Sequence, residues 1–359
     1  MEENKAAVTA QSAEQTAEQI LPEYKKTAYL VGTFVTICFL LRYVATVAIR
    51  LFVKNFADAL DPDLLYIIRL SISGMFLQIL PSVIGAFMFG YFGKKGRGLK
   101  TLYTVPKRCA KAIGNFGAVY GLGQIVNILT MLVIFIATAK SNLNDSLNTM
   151  SSLQPPGMAS AWFLLFMLAV IAPIFEEFIF RGVLMDALKP YGNGLAIFTT
   201  GILFGLYHGN VNQVFYAAAL GIALGYIANA TGSIFPTTIL HFMFNSISGI
   251  ILLLLTTPSV QRYVTGGDNS RIPDGDMFIV AFYGIFIVCV LALVLAGVVQ
   301  AAIKIKQIRR YKVPKVCGEI SNGKKAALLI LTPTSIIALL LIADVFFGFT
   351  DPLFKLITG

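Results

Sequence analysis

The sequence predicts an all-α integral membrane protein, a polytopic helical bundle of about nine transmembrane helices, with eight as the alternative. Composition is the first reason. Apolar residues make up 57% of 359 and charged residues only 13%, against about 25% charge in an ordinary soluble domain. One buried core cannot absorb that surplus, and lipid is the second apolar solvent that can. The second reason is that the apolar residues come in runs close to the ~20 residues needed to cross the hydrocarbon. The third is that the charges gather between the runs and favour alternate connections, as cytoplasmic loops do.

Taken in order, the runs fall at 28–53, 64–92, 112–139, 158–188, 194–210, 212–230, 233–256, 277–303 and 326–348. The fifth and sixth are short and interrupted by glycine. Residues 1–27 form a polar segment of mixed charge without the basic-then-apolar pattern of a cleaved signal peptide. Residues 28–348 make a single membrane-embedded domain, and 349–359 a short tail. No internal repeat and no low-complexity segment is visible.

Orientation follows from the loops. The connection after the second run carries Lys94, Lys95, Arg97, Lys100, Lys107, Arg108 and Lys111 with no acid. The connection after the eighth carries Lys304, Lys306, Arg309, Arg310, Lys312, Lys315, Lys324 and Lys325 against Glu319. Loops 54–63, 140–157 and 257–276 are neutral or acidic on balance. Nine spans put both basic loops on one side and the N-terminus in the cytoplasm, in the plasma membrane of a bacterium. The net charge of +10 is thereby explained by membrane orientation, and nucleic acid is not an expected partner. Cys38, Cys109, Cys289 and Cys317 show no paired spacing, and no disulfide framework is expected.

Ionisable groups inside a span are costly and mark function by default. Here they are concentrated. The fourth run holds Glu176, Glu177 and Arg181, the fifth Phe204 and His208, the seventh His241 and Asn245. Both histidines of the protein are among them. Glu177 and Arg181 are four apart, acid first, and can pair on one helix face. Glu176 points about 100° away and has no partner in its own helix. His241 and Asn245 share a face, and Phe204 stands one turn from His208 where it can wall the ring. Taken from the run midpoints, Glu176, His208 and His241 fall within roughly 8 Å of the membrane centre. A plainer reading exists for most of these groups: a lone intramembrane histidine often serves only as a hydrogen-bond donor between helices, and Glu177 with Arg181 can be a structural ion pair. It does not cover an unpaired Glu176. Arg42, Arg50, Arg69, Gln78, Gln124 and Asn127 are read as packing contacts or snorkelling side chains, and Trp162 as an interface anchor.

The ordered set Glu-Glu-x-x-x-Arg, Phe-x-x-x-His and His-x-x-x-Asn, spread over three membrane helices from about Pro173 to Gly249, resembles the type II CAAX prenyl protease family. That family belongs to the wider group of CAAX proteases and bacteriocin-processing enzymes, also called Abi. The resemblance implies an intramembrane endopeptidase whose protease-like core lies at 158–256. Glu176 would be the catalytic carboxylate and His208 its partner, with His241 and Asn245 completing the site. Glu177 and Arg181 would be a supporting pair. CAAX specificity does not follow, because bacterial members need not act on prenylated substrates.

Two chemistries fit these residues. In one, Glu176 and His208 deprotonate a water that attacks a peptide carbonyl, and His241 and Asn245 donate to the oxyanion. In the other, Glu176, His208 and His241 bind Zn²⁺, which acidifies the water. The substrate would be a membrane-associated peptide or protein. The rival functions are a proton- or cation-coupled transporter built on the same three groups and a non-catalytic membrane scaffold. Against transport stand the missing inverted repeat and the missing pair of broken helices.

Overall fold

The computed structural model describes residues 17–91, 102–137, 154–264, 275–308 and 321–349. Among these every regular element is a helix, and none is a strand. Helix α1 spans Ala17–Phe56, α2 Pro62–Met88, α3 Cys109–Ile134 and α4 Met158–Tyr191. Helix α5 is Asn193–Tyr207, α6 Val211–Thr231 and α7 Phe235–Thr256. The short α8, Pro258–Val264, leads to α9, Met277–Ile308. Helices α10, Asn322–Ile330, and α11, Pro333–Phe347, close the described chain.

Seven of these helices are long and apolar enough to cross a membrane. The pair α10 and α11, bent by 71° at its break, makes an eighth if counted as one span. The count therefore meets the alternative of eight, and nine is reached only by adding α5. With 15 residues, α5 is about 22 Å long, short of the ~30 Å of hydrocarbon. Its run stops at Tyr207 because His208 ends the helix and Gly209 turns the chain at φ +68°. The first helix departs from expectation in the other direction. It starts eleven residues before the apolar run, and Tyr24, within the polar N-terminal segment, is fully buried. Its ring meets Tyr191 edge-on at 4.8 Å, and its hydroxyl donates to the Lys325 carbonyl at 2.7 Å.

The core gathers where α1, α4 and α5 meet, around Phe34, Phe39, Ile179, Leu184 and Phe204. Glycine decides how closely two pairs of helices approach. In the α5–α6 hairpin a Cβ on Gly205 would stand 2.3 Å from the Val214 carbonyl, so backbone touches backbone. Gly297 of α9 stands against Gly117 of α3 in the same way, a small-residue contact typical of helices in lipid. The outer side of α9 is apolar and exposed, as at Val288 and Leu295, which suits a surface that faces acyl chains. Most of the charged residues used for orientation, Cys317 and nearly all of the C-terminal tail lie outside the described residues.

Candidate active site

Helix α4 is irregular where it carries its charges. A π-helical stretch covers Met167–Ile171, followed by Pro173, and a second covers Phe178–Leu184. Proline explains the first. The Ala172 N–H bonds the Met167 carbonyl, so the next carbonyl, Leu168, would need an N–H from residue 173, and proline has none. Asn245 of α7 supplies the missing donor, its Nδ2–H reaching the Leu168 carbonyl at 2.9 Å. The same device recurs in α2. A π-helical stretch, Met75–Ile79, precedes Pro81, and the Leu77 carbonyl four residues earlier accepts from the Tyr207 hydroxyl. In each case a proline removes a backbone donor, and a side chain from a motif-bearing helix satisfies the freed carbonyl.

The α4 charges take different surroundings. The Glu177 side chain is fully buried, while that of Glu176 keeps 12% of its surface open. Glu177 Oε1 pairs with Arg181 Nη1 at 2.8 Å, and the same oxygen faces His241 Nδ1 at 3.2 Å. Arg181 also donates from Nη2 to the Gly221 carbonyl at 2.9 Å. That carbonyl is within reach because a Cβ at residue 221 would stand 2.9 Å from Gly201 Cα. Arg181 is thus shared between an acid, a backbone carbonyl and a ring, its guanidinium lying 4.6 Å from the Phe204 centroid.

Phe204 is the hub. Its ring, 1% exposed, meets His208 at 5.0 Å and His241 at 5.6 Å, both edge-on. The sequence places it beside His208; only the tertiary structure brings it to His241 and Arg181 as well. His241 Nε2 stands 3.8 Å from Glu176 Oε2. This is longer than a hydrogen bond, so the two groups face each other without sharing a proton directly. Glu176 and His241 also lie within electrostatic reach of His208.

The proton positions on the rings follow from what each Nδ1 faces. His208 Nδ1 lies 2.8 Å from the Phe204 carbonyl, which can only accept, so Nδ1 carries the hydrogen and donates. His241 Nδ1 faces a carboxylate and does likewise. Both Nε2 atoms are left to address a third species.

Glu176, His208 and His241 are the three ligands a zinc ion would need. Among the described residues, no three His, Cys, Asp or Glu side chains converge closely enough to hold a metal ion. In this geometry the three residues do not meet as a ligand set.

Sequence reasoning missed Arg42 and Tyr207. Arg42 of α1, expected to pack or snorkel, turns inward: its Nη2 donates to the Tyr207 carbonyl, and its guanidinium lies over the rings of Phe39 and Tyr207 at 5.9 and 5.6 Å. The signal in the sequence was an arginine just past the middle of an apolar run, too far from either end to snorkel easily.

No curated protein and no solved structure matches the chain. One family model does, that of the type II CAAX prenyl endopeptidase Rce1-like family, over residues 158–247. The stretch begins with α4, contains all three motifs and ends two residues beyond Asn245. With these motifs assembled around Phe204, the chain carries at residues 158–247 a domain of the type II CAAX prenyl endopeptidase Rce1-like family.

Proposed function

We propose that this protein is an intramembrane endopeptidase that hydrolyses membrane-associated peptides or proteins with a water activated by Glu176 and His208. The observation that carries the reading is the unequal treatment of two adjacent carboxylates. Glu177 is consumed by Arg181 and His241. Among the described residues Glu176 has no such close partner; it is partly open and faces His241 over a gap of 3.8 Å. A polar gap of that size is one that a water or a substrate carbonyl oxygen beside both groups can bridge.

Glu176 is the general base, and the unprotonated Nε2 of His208 accepts a hydrogen from the same water and orients it. Attack on the carbonyl carbon places negative charge on its oxygen. His241, held by Glu177 at Nδ1, keeps its bare Nε2 facing Glu176 and steadies that carboxyl once it has taken the proton of the water. Asn245 has one amide hydrogen on Leu168 and a second for the oxyanion. The proton taken by Glu176 then passes to the leaving amine. Glu177 and Arg181 keep the His241 ring in orientation without touching substrate.

Quantitative proteomics of membrane-associated peptides in cells carrying the wild type or Glu176→Ala tests the activity whatever the substrate is. A set of new peptide termini present only with the wild type is expected. Indistinguishable profiles at equal expression would overturn the assignment and favour a transporter or scaffold.

The proposed orientation has its own test. Six spans separate the two basic loops if α5 is counted, and five if it is not. Only six leave both loops on one face, as the charge bias requires. In a background lacking the native cysteines, cysteines introduced at positions 97 and 312 are expected to resist an impermeant thiol reagent added outside intact cells. Exterior labelling of either one would show that the spans between them are miscounted.

A further inference from the structure

Helix α5 ends inside the protein, so its last carbonyls, which have no partner within the helix, must be satisfied there. Each can be followed. The Phe204 carbonyl accepts from His208 Nδ1 at 2.8 Å, that of Gly205 from the His208 N–H at 3.2 Å, and that of Leu206 from the Gly209 N–H at 3.1 Å. The last, on Tyr207, accepts from Arg42 Nη2. Three of the four donors are local, and the fourth is brought by another helix. A cation is also the charge that the C-terminal end of a helix dipole favours.

The fit around this contact is close on every side. Gly209, at φ +68°, has no room for a side chain, because a Cβ would stand 2.9 Å from Val345 and 3.0 Å from Arg42 Nη1. Tyr207 is tied from its other end by its hydroxyl on the Leu77 carbonyl. Among the described residues no carboxylate forms an ion pair with Arg42, and its buried Nε has no hydrogen-bond partner. A part-buried cation without a paired acid is a costly way to satisfy one carbonyl, unless the position of that carbonyl matters.

We infer that Arg42 is a positioning residue of the peptidase site, capping the last carbonyl of α5 so that His208, the next residue, is held with Nδ1 on Phe204, leaving Nε2 for the reacting water. The inference rests on the role proposed above for His208, but it also makes a structural claim of its own. Without the cap the last turn of α5 has an unsatisfied buried carbonyl, and it relieves this by shifting. A displacement of about 1 Å at a reacting group is enough to cost on the order of 100-fold in rate.

The test uses the full-length protein in detergent, with ¹⁵N-labelled histidine, and exploits the presence of only two histidines in the chain. In the wild type both rings are expected to show a protonated Nδ1. In Arg42→Met the His208 signals are expected to lose that signature while those of His241 keep it, and Arg42→Lys restores it. In parallel, a farnesylated, internally quenched CAAX peptide is offered to each variant. Arg42→Met is expected to lower kcat by about 10- to 100-fold with KM within about twofold, and Arg42→Lys to recover most of it. If Arg42→Met does not fold, Arg42→Gln is read against the same criteria. Unchanged His208 signals, or unchanged kcat per folded molecule with only the yield reduced, would overturn the role of Arg42. A wild type that does not cleave the peptide bears on the proposed function alone, because the nitrogen spectra still decide the positioning claim.

Discussion

Glu176→Gln is expected to leave the protein folded and to lower turnover by about 10²- to 10⁴-fold, the usual contribution of a general base. The change keeps the shape of the side chain and removes its basicity. Folding should be indifferent to it, because Glu176 is the one acid of the α4 cluster without an ion-pair partner in hydrogen-bonding range. His208→Ala acts at the same step. The double variant should therefore be little worse than either single one, as for groups that work as a unit. Melting temperature in detergent and single-turnover rates on the same preparations check both statements. Multiplicative losses would mean that Glu176 and His208 do not act together, and full activity in Glu176→Gln would end the peptidase assignment.

Arg181→Ala should fail in the opposite way, through stability. Arg181 is 1% exposed and Glu177 fully buried. Removing the guanidinium leaves a carboxylate inside the bundle with only the neutral Thr237 hydroxyl and His241 beside it, and breaking a buried pair by deleting one member costs about 3–5 kcal/mol. The Gly221 carbonyl loses its Arg181 donor at the same time. Folded yield should fall sharply, and any protein recovered should melt lower than the wild type. Because the His241 ring is oriented by the same Glu177 oxygen that pairs with Arg181, residual activity should fall too, as a secondary effect. A variant with normal melting and no activity would instead move Arg181 into the chemistry.

Much of this protein could be read from residue order alone. A membrane helix is specified by length and hydropathy, which are local properties. The runs at 64–92, 158–188 and 277–303 accordingly lie within a few residues of α2, α4 and the described part of α9. The Glu177–Arg181 contact was likewise legible, because four residues along one helix always share a face. So was the neighbourhood of Phe204 and His208. The motif order was enough to suggest the family, with a core expected at 158–256 where the family model matches 158–247.

Tertiary structure decided the rest, wherever a contact joins residues far apart in the chain. That His241 turns one nitrogen to Glu177 and the other to Glu176 depends on how α7 packs on α4 across more than sixty residues. That α5 is short depends on where its last carbonyls find donors, one of which comes from Arg42, 165 positions away. The two prolines were visible as letters, but not the side chains, Asn245 and Tyr207, that satisfy the carbonyls they free. Hydropathy records how much a segment prefers lipid to water. It carries no information about which polar groups meet once that preference is satisfied, and the chemistry of this site lies in those meetings.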